Sequence, residues 1–212
     1  MVKNISTQLM GQFFFQIVKK ELTLPCRKKI RTEYERILAN AKDIGKHNTL
    51  LSAYALGAWF IAMNREDDLS PEENCILLTE SLRNSRIFRM VMGDAEHYLD
   101  PKRIEKQKKW ANSTKERRYE NDWVVNLILG NGVYDLGYDY LECGICKLCR
   151  DEGCPEFAQY LCKLDYMFAE VMGLHLERTS TLAEGGDKCD FRFSQAKGGI
   201  ICQSQIHNSK KR

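Results

Sequence analysis

Long apolar runs are missing from this chain of 212 residues. Two apolar stretches stand out, Phe13 to Val18 and Leu50 to Met63, and both fall short of the roughly 18 residues that a membrane-spanning helix needs. No membrane partner is expected. Charge of one sign is scarce as well. The 32 Lys and Arg residues nearly balance 29 Asp and Glu, for a net charge of +3, and acids accompany the basic residues locally. A nucleic-acid partner would call for a basic stripe on a recognisable module, so none is expected. Only four prolines and four histidines are present. No histidine stands in a zinc or catalytic-triad spacing, and His175 is expected to serve structure. Internal repeats and low-complexity linkers are absent, which excludes solenoid and fibrous classes.

Cysteine, by contrast, is abundant. Nine cysteines cannot all pair within the chain. The first twenty residues lack a clean small-residue cleavage site and read as an amphipathic helix, so reduced thiols in a cytoplasmic compartment are the expectation. Clustered thiols there point to metal binding or catalysis. Cys26 and Cys75 lie alone in helical surroundings and read as small buried hydrophobes.

The first half carries helical spacing. A segment near Thr7 to Leu22 is followed by Arg27 to Ile44, with Pro25 in its first turn and apolar residues at Ile30, Tyr34, Ile37, Leu38 and Ala41. Thr49 to Met63 is apolar on most sides and predicts a central buried helix, one that could equally serve a homo-oligomer interface. Ser70, Pro71 and Glu73 form a capping-box start for a helix running to about Met92. Asp100 and Pro101 open another through Arg118, whose Lys and Glu residues read as a solvated face. The pattern changes at Trp123. Val124 to Leu129 is strand-like, Gly130, Asn131 and Gly132 supply a turn, and Val133 to Tyr140 returns. A cysteine-rich segment follows, then a helix from Pro155 to about Met172, then two strands around the turn Glu184 to Asp187. The tail from Gln195 to Arg212 is polar and is expected to fray. The fold class expected is α+β, with a helical region over residues 1–120 packed on a small antiparallel sheet from hairpins within 121–212, in one compact domain.

Three constellations can carry chemistry. Cys143, Cys146, Cys149 and Cys154 nearly spell an iron–sulfur run, but the last gap is one residue too long and no second motif follows. Zinc would need more distant ligands, for which Cys162 and Cys189 are available. On a helix the same thiols simply line one side. Cys162 and Asp165 lie one turn apart, a thiol beside a carboxylate that can orient water or take a proton. Strand alternation puts Cys189, Phe191 and Phe193 on one face, with Lys188, Asp190 and Arg192 on the other. There Arg178 or Arg192 can hold a carboxylate through two parallel hydrogen bonds, or take part in surface salt bridges.

The order of these pieces is more specific than any one of them. Trp123; Tyr138 to Cys143; Gly153 to Glu156; Cys162 to Asp165; and Arg178 to Phe191 together resemble the L-2-amino-thiazoline-4-carboxylic acid hydrolase family, clearly from Trp123 to Phe193. The resemblance implies a hydrolase that opens a small cyclic amidine at a carbon–nitrogen bond to a carbamoyl-cysteine product, without metal or cofactor. It implies Cys189, Cys162 and Cys143 as candidate nucleophiles, with Cys189 first, and Asp165 and Asp190 as candidate bases. Arg178, Thr181, Gly185, Gly186 and Glu142 fall to substrate binding. Cys146, Cys149, Cys154 and Cys202 stand outside the resemblance. The alternative class is a thiol-rich metal- or cluster-binding sensor without turnover.

Overall fold

The computed structural model describes residues 5–18, 22–45 and 48–196. Cys202 and nearly all of the polar tail lie outside the described residues. The first half is helical: α1 (Ile5–Val18), α2 (Leu24–Asn40), α3 (Leu51–Glu66), α4 (Pro71–Asn84), α5 (Arg86–Met92), α6 (Ala95–Tyr98) and α7 (Pro101–Thr114). The second half follows as β1 (Val124–Leu129), β2 (Leu136–Glu142), α8 (Gly144–Asp151), α9 (Ala158–Val171), β3 (Leu174–Glu177) and β4 (Cys189–Gln195), with short 3-10 turns at Pro155–Phe157 and Leu182–Glu184. The fold is therefore α+β, with mostly N-terminal helices and a four-stranded antiparallel sheet from the C-terminal strands.

Helix α3 is central. Every residue from Tyr54 to Met63 is buried, because α1, α2, α4, α8 and α9 all pack against it. This is why its sequence is apolar on most sides instead of along one stripe. Tyr54 meets Trp123 edge to face at 6.0 Å, and Phe60 meets Phe157 in the same way at 6.0 Å. One apolar cluster thus joins the helical half to the sheet half.

Most boundaries follow local chemistry. The capping box at Ser70 is complete: its hydroxyl accepts from the Glu73 N–H, and the Glu73 carboxylate accepts from the Ser70 N–H. The helix that it starts stops at Asn84 instead of running to Met92. The Ser85 hydroxyl accepts from the Phe88 N–H and caps a new helix, so the segment divides into α4 and α5. Beyond Gly93 the chain forms α6, where Asp94 accepts from the His97 N–H. Helix α7 ends at Thr114, four residues short of Arg118. The Thr114 hydroxyl accepts from the Val125 N–H and ties the helix end to β1.

The sheet order is β1-β2-β4-β3, with every neighbouring pair antiparallel. In β2 and β4, Tyr138 faces Phe191 and Tyr140 faces Cys189, so both tyrosines, the phenylalanine and the thiol share one side. On the other side Asp139 faces Asp190. Like charges there would repel, but Lys188 pairs with Asp139, and Arg192 reaches it at 2.8 Å.

Candidate active site

Helix α9 presents Cys162 and Asp165 on one side because they are three residues apart. The chain then crosses β3 and turns back through residues 178–188 to β4. This loop brings Arg178 onto α9. The Arg178 Nη1 donates to Asp165 Oδ2 at 2.7 Å, and its Nη2 donates to the Cys162 carbonyl at 2.9 Å. Its guanidinium lies 5.0 Å from both the Tyr166 and the Phe191 ring centroids. Only 5% of the Arg178 side chain is exposed.

Asp190 holds that loop. Its Oδ1 accepts from the N–H groups of Thr179 and Ser180 at 2.9 and 2.7 Å, and its Oδ2 accepts from the Thr179 hydroxyl at 2.5 Å. Burial works against its charge, yet these donors win and hold its carboxyl below the usual range. Thr181 is buried, accepts from the Glu184 N–H at 3.2 Å and donates to the Glu184 carboxylate at 2.6 Å. Gly185 has φ +88°, which a side chain would strain, and a Cβ on Gly186 would sit 2.0 Å from Ser180 Oγ. Glu142 lies at the end of β2, where Lys147 and Arg117 pair with it at 2.6 and 2.8 Å and lower its pKa.

Asp165 behaves differently from these paired acids. Burial raises its pKa from the usual 3.8 to about 6, although Arg178 pulls the other way. The carboxylate still keeps 29% of its side chain exposed, because it lines a cleft. Among the described residues Oδ1 takes no hydrogen bond, whereas Oδ2 is held by Arg178. One oxygen is anchored and the other is available.

The three candidate thiols do gather around this acid. Cys162 experiences the charges of Asp165, Cys143, Arg178 and Cys189, and its thiol is pushed well up, first by burial and then by Asp165. Burial lifts Cys189 to about 11, against a backbone N–H from Leu182 that reaches its sulfur at 3.2 Å. Cys143 moves in the opposite direction. Its thiol is drawn down first by pairing with the Cys146 thiol and then by the nearby N–H groups of Cys146 and Ile145, against burial. A second thiol pair, Cys149 and Cys154, closes the other end of α8. The cysteine run is thus two thiol pairs at the two ends of one short helix, with Cys146 and Cys149 on it, Cys143 before it and Cys154 after it. Among the described residues no three Cys, His, Asp or Glu side chains are grouped to hold a metal ion.

The cleft in front of Asp165 has a volume of about 650 Å³. Tyr138 and Tyr140 from β2, Phe191 from β4, Tyr98 from α6 and Arg103 from α7 line its inner part. Arg103 donates to the Tyr98 carbonyl at 3.0 Å and stacks 4.2 Å from the Tyr98 ring centroid. Burial keeps the Tyr98 and Tyr140 hydroxyls protonated far above neutral pH. Tyr138, Tyr140 and Phe191 fall within the segments that carry the family resemblance but have no role assigned there, and Tyr98 and Arg103 fall outside them. The alternation of Tyr138 and Tyr140 was the available signal, whereas Arg103 sits in a Lys- and Glu-rich helix with nothing local to single it out.

A raised-pKa acid lining a ligand-sized cleft is a feature common to enzyme sites. The chain belongs to the L-2-amino-thiazoline-4-carboxylic acid hydrolase family, whose model matches residues 48–193. That span runs from before α3 into β4, ending at Phe193, and takes in every candidate site residue. Comparison with curated proteins and with solved structures gives no match. Among the described residues no helix is long and apolar enough to cross a membrane.

Proposed function

We propose that the protein hydrolyses a cyclic amidine of the 2-amino-thiazoline carboxylate type at its ring carbon–nitrogen bond, with Asp165 as the acid–base group. The observation that carries this reading is the Asp165 carboxylate itself: raised to about 6, anchored through Oδ2 and lining the cleft. At neutral pH it is mostly ionised and ready to accept a proton. Its pKa is also close enough to neutral for it to return that proton. The amidine carbon lies between the ring sulfur and two nitrogens and is electrophilic. Asp165 takes a proton from water as the oxygen adds to that carbon. The same proton then passes to the ring nitrogen, and as the carbon–nitrogen bond breaks the hydroxyl proton of the intermediate follows it to the departing amine, leaving the carbamoyl group on sulfur. Tyr140, a neutral donor beside Asp165, is placed to hydrogen-bond the tetrahedral intermediate. Arg103 is the one cationic side chain among the described residues lining the cleft, and it suits the substrate carboxylate.

A covalent route has one observation in its favour, the lowered pKa of Cys143. In that route the Cys143 thiolate attacks the amidine carbon, and the ring carbon–nitrogen bond breaks with a proton passing to the nitrogen. Asp165 then activates a water that adds to the same carbon and releases the Cys143 thiolate, leaving the carbamoyl group on the substrate sulfur. All eight cysteines of the described residues are free, which supports a reducing, cytoplasmic setting.

Ring opening of 2-amino-thiazoline-4-carboxylate by the parent, Asp165→Asn, Cys143→Ser, Cys162→Ser and Cys189→Ser tests the proposal. Asp165→Asn is expected to lose at least a hundredfold in kcat. Cys143→Ser loses as much only on the covalent route, in which mass spectrometry of the quenched parent finds an adduct on Cys143. Turnover by Asp165→Asn at the parent rate would remove the acid–base assignment.

A further inference from the structure

The cleft is built for more than a single small ring. Of the side chains that line it, only Asp165 and Arg103 carry charge among the described residues. The rest of the wall is largely aromatic, aliphatic and methionine side chains. Ring contacts knit it together: Tyr140 meets Phe191 at 5.1 Å, Tyr98 meets Phe193 at 5.2 Å, and Phe168 meets Phe88 at 5.7 Å. From Phe88 the series continues to Phe13 of α1 at 6.5 Å. Leu9 and Val91 also line the cleft, and they are 59% and 67% exposed. Exposed apolar residues contiguous with an apolar cleft mark a binding surface.

A thiazoline carboxylate is small, and polar along its amino, ring-nitrogen and carboxylate edges. Set against Asp165, it would leave most of about 650 Å³ filled with water facing aromatic walls. Clefts of this size suit drug-sized ligands, whose apolar bodies cover such walls. We infer that the natural substrate is a cyclic amidine bearing a bulky apolar substituent, which lies along the aromatic wall toward α1 and α5 while the ring reacts at Asp165. This rests on the proposed hydrolase reading for the reacting ring, whereas the substituent is argued from the cleft alone.

The test is a series of 2-amino-thiazoline-4-carboxylates carrying hydrogen, methyl, phenyl or benzyl on the ring carbon next to sulfur. Burying a phenyl ring in the cleft is expected to raise kcat/KM on the order of thirtyfold over the unsubstituted compound. Ala53→Trp, which fills the cleft from α3, and Val91→Asp, which puts a charge at its exposed mouth, should each shrink that ratio toward one. Because Val91 is exposed, its variant does not disturb the core even where Ala53→Trp fails to fold. Opening of the unsubstituted ring with equal or lower kcat/KM for the phenyl and benzyl compounds would overturn the inference and leave the hydrolase reading intact. If no member of the series is opened, the hydrolase reading fails, and calorimetric titration decides the substituent. Tighter binding of the phenyl compound, weakened by Val91→Asp, supports the inference. Equal binding of the phenyl and unsubstituted compounds refutes it.

Discussion

Asp165 offers the sharpest test, because its titration leaves a mark on stability as well as on rate. Its carboxyl ionises near 6 in the folded protein instead of near the usual 3.8, a difference worth on the order of 3 kcal/mol. Between those values the folded protein holds the Asp165 proton and the unfolded chain has released it. The unfolded state therefore binds fewer protons, and this group makes stability fall as pH rises from about 4 to 6, then level off. Other acids act in the same range, so the parent alone is uninformative. Asp165→Asn keeps the shape and removes the titration, and the remaining groups largely cancel in the difference. Urea denaturation of both proteins from pH 4 to 7 should show the parent losing stability relative to Asp165→Asn, by on the order of 3 kcal/mol in total. In the same window kcat/KM of the parent should climb to a plateau through about pH 6, because a base acts only when ionised. Arg178→Gln removes the cation that favours the ionised form and should move that limb to higher pH. A constant difference between parent and Asp165→Asn would refute the reasoning. A difference growing with pH would mean that Arg178 outweighs burial.

Glu33 provides the opposite sign. Hydrogen bonds from Arg36, against burial and helped by Arg65, hold it near 2. Glu33→Gln should therefore cost roughly 2 kcal/mol in urea denaturation at pH 7, a penalty that fades as pH falls from about 4.5 to 2. Gly144 opens α8 with no room for a methyl group, since a Cβ would meet the Asn121 carbonyl at 2.7 Å and the Trp123 ring at 2.8 Å. Gly144→Ala should destabilise by about 2 kcal/mol and lower Tm, and an unchanged Tm would show that the contact relaxes freely. Alkylation by iodoacetamide followed by mass spectrometry should modify Cys143 before Cys162 and Cys189, because only its thiolate is favoured. Earlier labelling of Cys162 would contradict that order.

How far the chain could be read from its residues depended on whether each signal was local. The capping box at Ser70, the buried helix around Tyr54 to Met63 and the strand Val124–Leu129 follow from neighbours in sequence, and each forms as expected. The break at Ser85 was harder to read. Leu82 and Phe88 keep an apolar pattern across it, while the new helix is decided by one hydroxyl accepting from Phe88. The start of β2 at Leu136 instead of Val133 has a similar cause. Val133 is exposed in a loop where its N–H donates to the Asn131 side chain, so a local side-chain bond displaces the sheet ladder.

At the site the balance between local and distant contacts matters more. Cys162 with Asp165, and Cys189 with Asp190, were legible as pairs because three-residue and one-residue spacings have fixed geometry on helices and strands. What their convergence builds was not legible. Asp190 spends both oxygens on the loop that follows Arg178, Thr181 closes the 3-10 turn, and Gly186 leaves no space for a side chain beside Ser180. Each of these restricts the loop to one backbone path. The result of that path is the position of Arg178, which donates to one oxygen of Asp165 and not to the other. The residues that stand out in sequence are therefore those with the narrowest conformational tolerance, and they act on the cleft through Arg178. Side chains that would touch a ligand, such as Arg103 and Phe88, sit in ordinary helical patterns. On the proposed reading, substrate choice changes by replacing residues with no local signature, while the loop that positions Asp165 stays as it is.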